Sequence, residues 1–268
     1  MGLKDQLAGV LPADAVPFVS DRFEVIGDIA VLAIPFELEP YKQCIAQAII
    51  ARRKNIVTVI SKKEKVSGGS RTARYEILVG ASTVTVHRES GFRYRLDVGR
   101  AFFSTRMAHE RTRVTGQIRP GERVCIPFAG AGPFVIPSAA RGAEVYAIEN
   151  NPDAFRFLAE NAALNHVADN CHLVRGDALD RTLLPHRTFD RLIIPAPYGM
   201  DRALETLLPL LAPGGTVHFY TFSADEEIPA LIAAYERYGL MVRYAAPCGN
   251  VAPGISRRVF DMVRPLQS

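Results

Sequence analysis

The sequence predicts an α/β protein, a Rossmann-like doubly wound parallel sheet preceded by a smaller α+β module. Three observations carry this. The run RVCIPFAGAGPFVIPSAARGAEVYAIENN, Arg123 to Asn151, reads as strand, glycine turn, helix, second strand and terminal acid. Beyond it, apolar strand-like runs alternate with helical periods at short spacing as far as RRVFDMV. Before it, strand-like segments follow one another with few helices between them.

Taken in order, FEVIGDIAVLAIP alternates like a strand and YKQCIAQAIIARR is an amphipathic helix. IVTVIS, ARYEILVG, STVTVHRES and FRYRLDV are strands separated by GG, SG or polar turns. The expected module is one antiparallel sheet. A boundary falls near residues 98 to 110, giving an N-terminal domain 1–98 and a catalytic domain 99–268. AFFSTRMAHERTRV begins the helix that leads into the glycine strand.

Gly130 and Gly132 follow an apolar run suited to a buried parallel strand and let the backbone turn tightly against a ligand at its carboxyl end. Glu149 ends the next strand, where a carboxylate can accept both hydroxyls of a ribose; its distance from the glycines suits a Rossmann-like unit. The bland alternative is an ordinary strand-to-helix turn. NPDAFRFLAENAALNHV has Asn151 as N-cap, Pro152 at the first helical position, and Phe155, Leu158, Ala162 and Leu164 along one face. CHLVRGDALD is a strand ending at Gly176 and Asp177, an acid placed to meet an adenine amino group. Strand DRLIIPAPY, helix DRALETLLPLLAPGG, strand TVHFYTF, helix EEIPALIAAYERYG and strand MVRYAAP follow, with a last strand near RRVFDMV.

A nicotinamide site wants GxGxxG, whereas Pro133 and Phe134 follow the second glycine, and no Walker lysine supports a phosphate cradle. S-adenosylmethionine (SAM) carries no phosphate and asks for a glycine turn, a ribose acid and an adenine acid. Those groups are present.

At 268 residues and 48% apolar content the chain can bury one large or two modest cores. Cys44, Cys125, Cys171 and Cys248 are scattered without a CxxC pair, which suggests reduced thiols in a cytoplasmic protein and no zinc site. No signal-peptide core or membrane-spanning run is expected. Net charge is +4, but from Lys42 to Arg113 sixteen Lys or Arg face five Asp or Glu, an excess of +11 that leaves −7 for the remainder. Such a basic stretch attracts nucleic-acid phosphates, or is the solvated face of an ordinary domain.

The segments FEVIGDIAVLAIP, ELEPYKQCIAQAI, KNIVTVISKKEKVSGGSRTARYEIL, TVTVHRESGFRYRLDVGRAFFSTRMAHERTRV, FAGAGPF, YAIENNPDAFRFLAENAALN and GGTVHFYTF together resemble a known family. It comprises the SAM-dependent enzymes, archaeal ones in particular, that modify the purine at position 37 of tRNA. One branch methylates guanine N1; the other transfers the aminocarboxypropyl group of SAM in wybutosine synthesis. The resemblance runs from about Phe23 onward and implies the SAM-dependent methyltransferase fold, tRNA as partner and a monomer without metal. It implies a SAM site built from Phe128, Gly130, Gly132, Glu149, Asn150, Asp177 and Pro195. Glu110 matches the acid thought to take the guanine N1 proton, with an ion pair to Arg113 as its alternative. Arg71 or Arg74, and Arg106, are candidates for RNA phosphates or for an oxygen gaining charge. Tyr198 can stack on the purine, and His109 is expected on the helix surface.

The chain departs from the family pattern in places. Phe102 stands where a tyrosine is usual, Ile126 where an acid precedes the glycine turn, and Pro195 where an Asn holds the target nitrogen. Pro195 has neither an amide nor a backbone N–H. Glu149, the missing Asn, the APGI segment from Ala252 to Ile255 and the absence of an extra N-terminal domain point to aminocarboxypropyl transfer. FAGAGPF and HFYTF point to methyl transfer. Methyl transfer to guanine N1 is the primary expectation; aminocarboxypropyl transfer, and a catalytically degenerate SAM- or RNA-binding protein, stay open.

Overall fold

The computed structural model describes residues 2–63 and 74–266. The chain divides into two compact units, Met1–Arg88 with Arg93–Thr105, and Glu89–Phe92 with Arg106–Ser268.

The first unit contains α1 (Leu3–Leu7), β1 (Glu24–Ile26), β2 (Ile29–Leu32), α2 (Lys42–Arg52), β3 (Thr58–Lys62) and β4 (Tyr75–Val79), followed by a hairpin of β5 (Val84–Glu89) and β6 (Phe92–Asp97). FEVIGDIAVLAIP is two strands, because Gly27 adopts a φ of +59° and reverses the chain. The sheet runs β1-β2-β3-β4, with β2 and β3 parallel, while β5 and β6 form a separate ribbon. The expectation of one antiparallel sheet therefore fails at two points. The intervening α2 is a crossover connection, which permits parallel pairing of β2 and β3. Its Ile45, Ala46 and Ile49 pack with Leu3, Leu7, Leu32, Val59 and Leu78 in the core of this unit.

The second unit opens with α3 (Ala108–Thr115), then β7 (Arg123–Pro127), α4 (Val135–Ala140), β8 (Glu144–Glu149), α5 (Pro152–Leu164), β9 (Cys171–Arg175) and β10 (Phe189–Ile194). It closes with α6 (Ala203–Leu207), β11 (Leu211–Ser223), α7 (Ile228–Arg237), β12 (Met241–Ala252) and β13 (Ile255–Val263). The sheet order is β12-β13-β11-β10-β7-β8-β9, a Rossmann-like doubly wound arrangement as the sequence predicts. Strands β9, β8, β7, β10 and β11 are parallel; β13 runs antiparallel to both of its neighbours. Only Pro253 and Gly254 join β12 to β13, and so short a connection can close a hairpin but not a parallel crossover.

Two helices differ from expectation in detail. The segment DRALETLLPLLAPGG gives five residues of α-helix and then a 3-10 turn, Leu208–Leu210, where Pro209 lacks the N–H needed to continue the ladder. In α5 the cap is as predicted, Asn151 accepting from the N–H groups of Asp153 and Ala154 at 3.0 and 3.3 Å. Its core face is Ala154, Phe157, Leu158, Asn161 and Ala162, while Phe155 and Leu164 are half-buried on its flanks.

Phe260 of β13 is fully buried, its ring 5.1 Å from that of Tyr235, which in turn lies 6.0 Å from Phe219. Phe260→Ala is expected to lower unfolding free energy by about 3–5 kcal/mol through lost burial and a residual cavity. Urea denaturation measures it; a loss under 1 kcal/mol, the scale of a surface substitution, contradicts this packing.

Candidate functional site

The strand order reverses between β7 and β10: β8 and β9 lie on one side, β11 and the hairpin on the other. In an open α/β sheet, ligands bind in the crevice beyond the carboxyl ends of the strands at such a point. The loop after β7 and the segment after β10 flank it, and the ends of β8 and β9 lie beside the first.

After β7 the backbone takes positive φ at Phe128 (+56°), Gly130 (+58°) and Gly132 (+94°). The turn is tied down from three directions. The Ala129 N–H donates to Ile148 O at 3.0 Å, the Gly130 N–H donates to Glu149 Oε2 at 2.7 Å, and Asn161 Nδ2 donates to Ala131 O at 2.9 Å. A Cβ on Gly132 would lie 2.7 Å from Leu158 Cδ1, so this glycine serves close packing of the turn on α5. Glu149 Oε1 accepts from the Asn151 N–H at 2.7 Å. A carboxylate at this position is the group that accepts hydroxyls from a ligand ribose. Asp177, two residues beyond β9, is exposed, with Oδ1 accepting the Leu179 N–H at 2.9 Å. Asn150 is exposed and Pro195 half-buried, and the segments at the carboxyl ends of four parallel strands, β7, β8, β9 and β10, bring Phe128, Gly130, Gly132, Glu149, Asn150, Asp177 and Pro195 to the same edge of the sheet. A glycine turn without lysine, followed by two acids on adjacent strands, fits a nucleoside without phosphate, such as that of SAM.

Residues 85–238 match the TRM5/TYW2 methyltransferase domain, and residues 3–83 match the TYW2 N-terminal domain. This chain belongs to the TRM5/TYW2 family. It is 36% identical over 216 residues to the tRNA (guanine(37)-N(1))-methyltransferase Trm5b of Pyrococcus abyssi, covering 80% of this chain and 64% of that protein. It is 33% identical over 228 residues to the tRNA(Phe) (4-demethylwyosine(37)-C(7)) aminocarboxypropyltransferase of Pyrococcus horikoshii, covering 85% of this chain and 81% of that protein. The crystal structure of P. abyssi Trm5b superposes with a TM-score of 0.84 at 32% identity, over 96% of this chain and 78% of that one. That of P. horikoshii TYW2 in complex with MeSAdo superposes with a TM-score of 0.81 at 30% identity, over 97% of each chain.

The TRM5/TYW2 resemblance supplied the remaining candidates, and the structure separates them. Glu110 is buried in α3, where Arg113 Nε and Nη2 each donate to its carboxylate at 2.8 Å and the Tyr220 hydroxyl donates at 2.9 Å. The ion pair with Arg113 is thus present. Arg106 and His109 are exposed on the approach to and the surface of that helix. Tyr198 is 75% exposed beyond β10, its ring edge-on to Phe222 at 5.3 Å. Ile126 is fully buried in β7, a packing residue. Arg74 is exposed and Phe102 half-buried, both in the first unit; Arg71 lies outside the described residues.

Sequence reasoning missed Asn161, Tyr220, His218, Asp261 and Arg191. Each left a signal: a polar residue on the apolar face of a helix, or at a buried position of an otherwise apolar strand. Asn161→Leu is expected to cost about 1–3 kcal/mol, since the Ala131 carbonyl of the glycine turn loses its buried donor. Denaturant unfolding measures this, and wild-type stability would show that the turn stands without Asn161.

Proposed function

We propose that the chain is a SAM-dependent transferase acting in the cytoplasm, as a monomer, on the purine at position 37 of tRNA, with methyl transfer to guanine N1 as its reaction. The observation that carries this is the acid-bearing glycine turn at the switch point of a chain whose relatives, at 36% and 33% identity, both act on position 37. Bound SAM supplies an electrophilic carbon on its sulfonium. Glu149 and Asp177 bind the ribose and the adenine, Gly130 keeps a side chain out of the way, and Gly132 lets the turn pack closely on α5. Tyr198, exposed beyond β10, stacks on the extruded purine. Glu110 takes the N1 proton, the role of a carboxylate held within reach of a weakly acidic ring N–H. Arg106 neutralises a phosphate or the guanine oxygen as charge develops there.

A second reading, aminocarboxypropyl transfer to a wybutosine precursor, is favoured by the TYW2-type N-terminal domain and by Pro195 in place of the Asn that would hold the target nitrogen. The two differ in which carbon of SAM meets the acceptor. Incubation with G37-containing tRNA and SAM labelled on the methyl or on the carboxyl carbon separates them. Methyl label at guanine N1 is expected. Carboxyl label, seen only with tRNA carrying the tricyclic precursor, selects the second reading, and no transfer of either label leaves a SAM- or RNA-binding protein.

Glu110→Gln is expected to lower the single-turnover methylation rate about 10²–10⁴-fold with SAM and tRNA affinity nearly unchanged, as for loss of a general base. An active variant removes Glu110 from that role. Affinity for tRNA is expected to fall steeply with salt, and Arg74→Glu to flatten that dependence without altering SAM affinity. Filter binding across a salt series reads both; a salt-independent affinity would reduce the basic excess between Lys42 and Arg113 to surface charge.

A further inference from the structure

Seven polar side chains form an unbroken hydrogen-bonded file through the second unit, in the order Tyr220, Glu110, Arg113, Asp261, His218, Arg191, Glu122. Arg113 bridges two carboxylates. Its Nε and Nη2 reach Glu110 at 2.8 Å each, and its Nη1 and Nη2 reach Asp261 at 2.6 and 3.1 Å. Asp261 Oδ1 lies 2.7 Å from His218 Nδ1, and His218 Nε2 lies 2.7 Å from Arg191 Nη1. Arg191 then donates to both oxygens of Glu122 at 2.9 and 3.2 Å. Strand register builds the file: His218 and Asp261 are direct partners across β11 and β13, and Arg191 sits two residues before Ile193, the partner of His218 in β10.

The proton positions follow from donor chemistry. A guanidinium only donates, so His218 Nε2 is an acceptor, and the one proton of the neutral ring sits on Nδ1 and is donated to Asp261. A second proton would set an N–H against an N–H of Arg191 at 2.7 Å. Burial of the ring pushes the histidine below its ordinary value, outweighing the opposing pull of Asp261, and keeps it neutral. With its proton placed, His218 fixes which oxygen of Asp261 faces the imidazole and so how the carboxylate meets Arg113.

We propose that Asp261, oriented by His218, is the positioning residue for Glu110, sharing the Arg113 guanidinium so that Glu110 is aligned without taking the whole of that positive charge. The inference rests on Glu110 as the base. The other groups facing this part of the file are Tyr244 of β12, whose ring lies 4.6 Å from the Arg113 guanidinium, and Cys248 and Arg257 of the β12–β13 hairpin. The Arg111–Glu89 ion pair flanks the same helix. Burial keeps the Cys248 thiol protonated, pushed up to about 12, and Tyr220 well above its ordinary value, so neither titrates near neutral pH.

The test is single-turnover methylation of G37-containing tRNA by the full chain between about pH 5 and 9, the range over which a carboxylate base declares itself. In Asp261→Asn, Arg113 is no longer shared between two carboxylates and the alignment of Glu110 is lost. The limiting rate is expected to fall roughly 10–100-fold across the profile, within the range of general-base effects. KM for SAM and tRNA should stay unchanged, and Asp261→Glu should recover part of the rate. A profile superimposable on that of the wild type, with Glu110→Gln slow, overturns the positioning role alone. Absence of N1 transfer, or a fast Glu110→Gln enzyme, removes the base assignment and this inference with it. Should the Asp261 variants fail to fold, nitrogen-15 NMR of the wild-type histidines decides. One of the six imidazoles should carry its proton on Nδ1 and stay neutral below the ordinary histidine range; an Nε2–H form, or titration of all six in that range, overturns the proposal.

Discussion

Helix α3 is fastened to its sheet by charge more than by apolar packing, and the rest of the second unit depends on that fastening. Its buried residues are Glu110, Arg111, Val114 and Thr115, so a single aliphatic side chain contributes to the interface. Arg113 lies between Glu110 and Asp261 of β13, and Tyr220 of β11 donates to Glu110, while Arg111 is paired with Glu89 at the end of β5. Removing these groups from water carries a desolvation cost of several kcal/mol per ion, offset only when every charge meets a partner in good geometry. Here each does: the carboxylates of Glu110, Asp261 and Glu122 alternate with the guanidinium groups of Arg113 and Arg191, and the neutral imidazole of His218 joins the two halves. Asp261 is held down at about 2 by His218 and Arg113 against the effect of burial. Deleting one member leaves another buried and unpaired, so the file behaves as a unit. This sets where α3 delivers the chain into β7, and with it the glycine turn.

That turn depends in turn on Glu149. One oxygen of its carboxylate fixes the backbone of Gly130 and the other that of Asn151, the residue that caps α5. The acid expected to hold a ribose therefore already organises both loops that would surround it. The site needs little rearrangement on binding, the condition under which hydrogen bonds contribute most to affinity.

The legible parts of the molecule were those written in local sequence. The glycine turn, the acids at the ends of β8 and β9, the Asn151–Pro152 start of α5 and the strand–helix alternation all depend on residues within a few positions of one another. Pairings across distance were not legible. Nothing in IVTVIS states that β3 lies parallel to β2, and the antiparallel course of β13 turns on the brevity of the Pro253–Gly254 link. The Phe155 error was one of angle, since Phe155 and Phe157 are two residues apart on a helix and only the second faces the sheet. The polar file was invisible for the strongest reason: its members come from α3, the loop before β7, β10, β11 and β13, and only register brings them together. A His in HFYTF or an Asp in RRVFDMV is conspicuous alone, but its partner cannot be named before the strands are paired.

The same register bears on how a base would be recognised without an Asn after β10. Phe222, near the carboxyl end of β11, has the exposed ring of Tyr198 edge-on at 5.3 Å and the Arg257 guanidinium 5.0 Å from its centroid. The residues in this part of the fold thus offer ring faces and a delocalised cation, surfaces that hold any purine by stacking and discriminate little between one heterocycle and another. Discrimination between guanine and a larger tricyclic base then falls on groups that move a proton or close off space, and among the residues placed here Glu110 is the one with the chemistry for the first. On the proposed reading, stacking would supply the hold and the carboxylate the choice. With Glu110 as the base, fixing that carboxylate through Arg113 and Asp261 would bear on specificity as well as on rate.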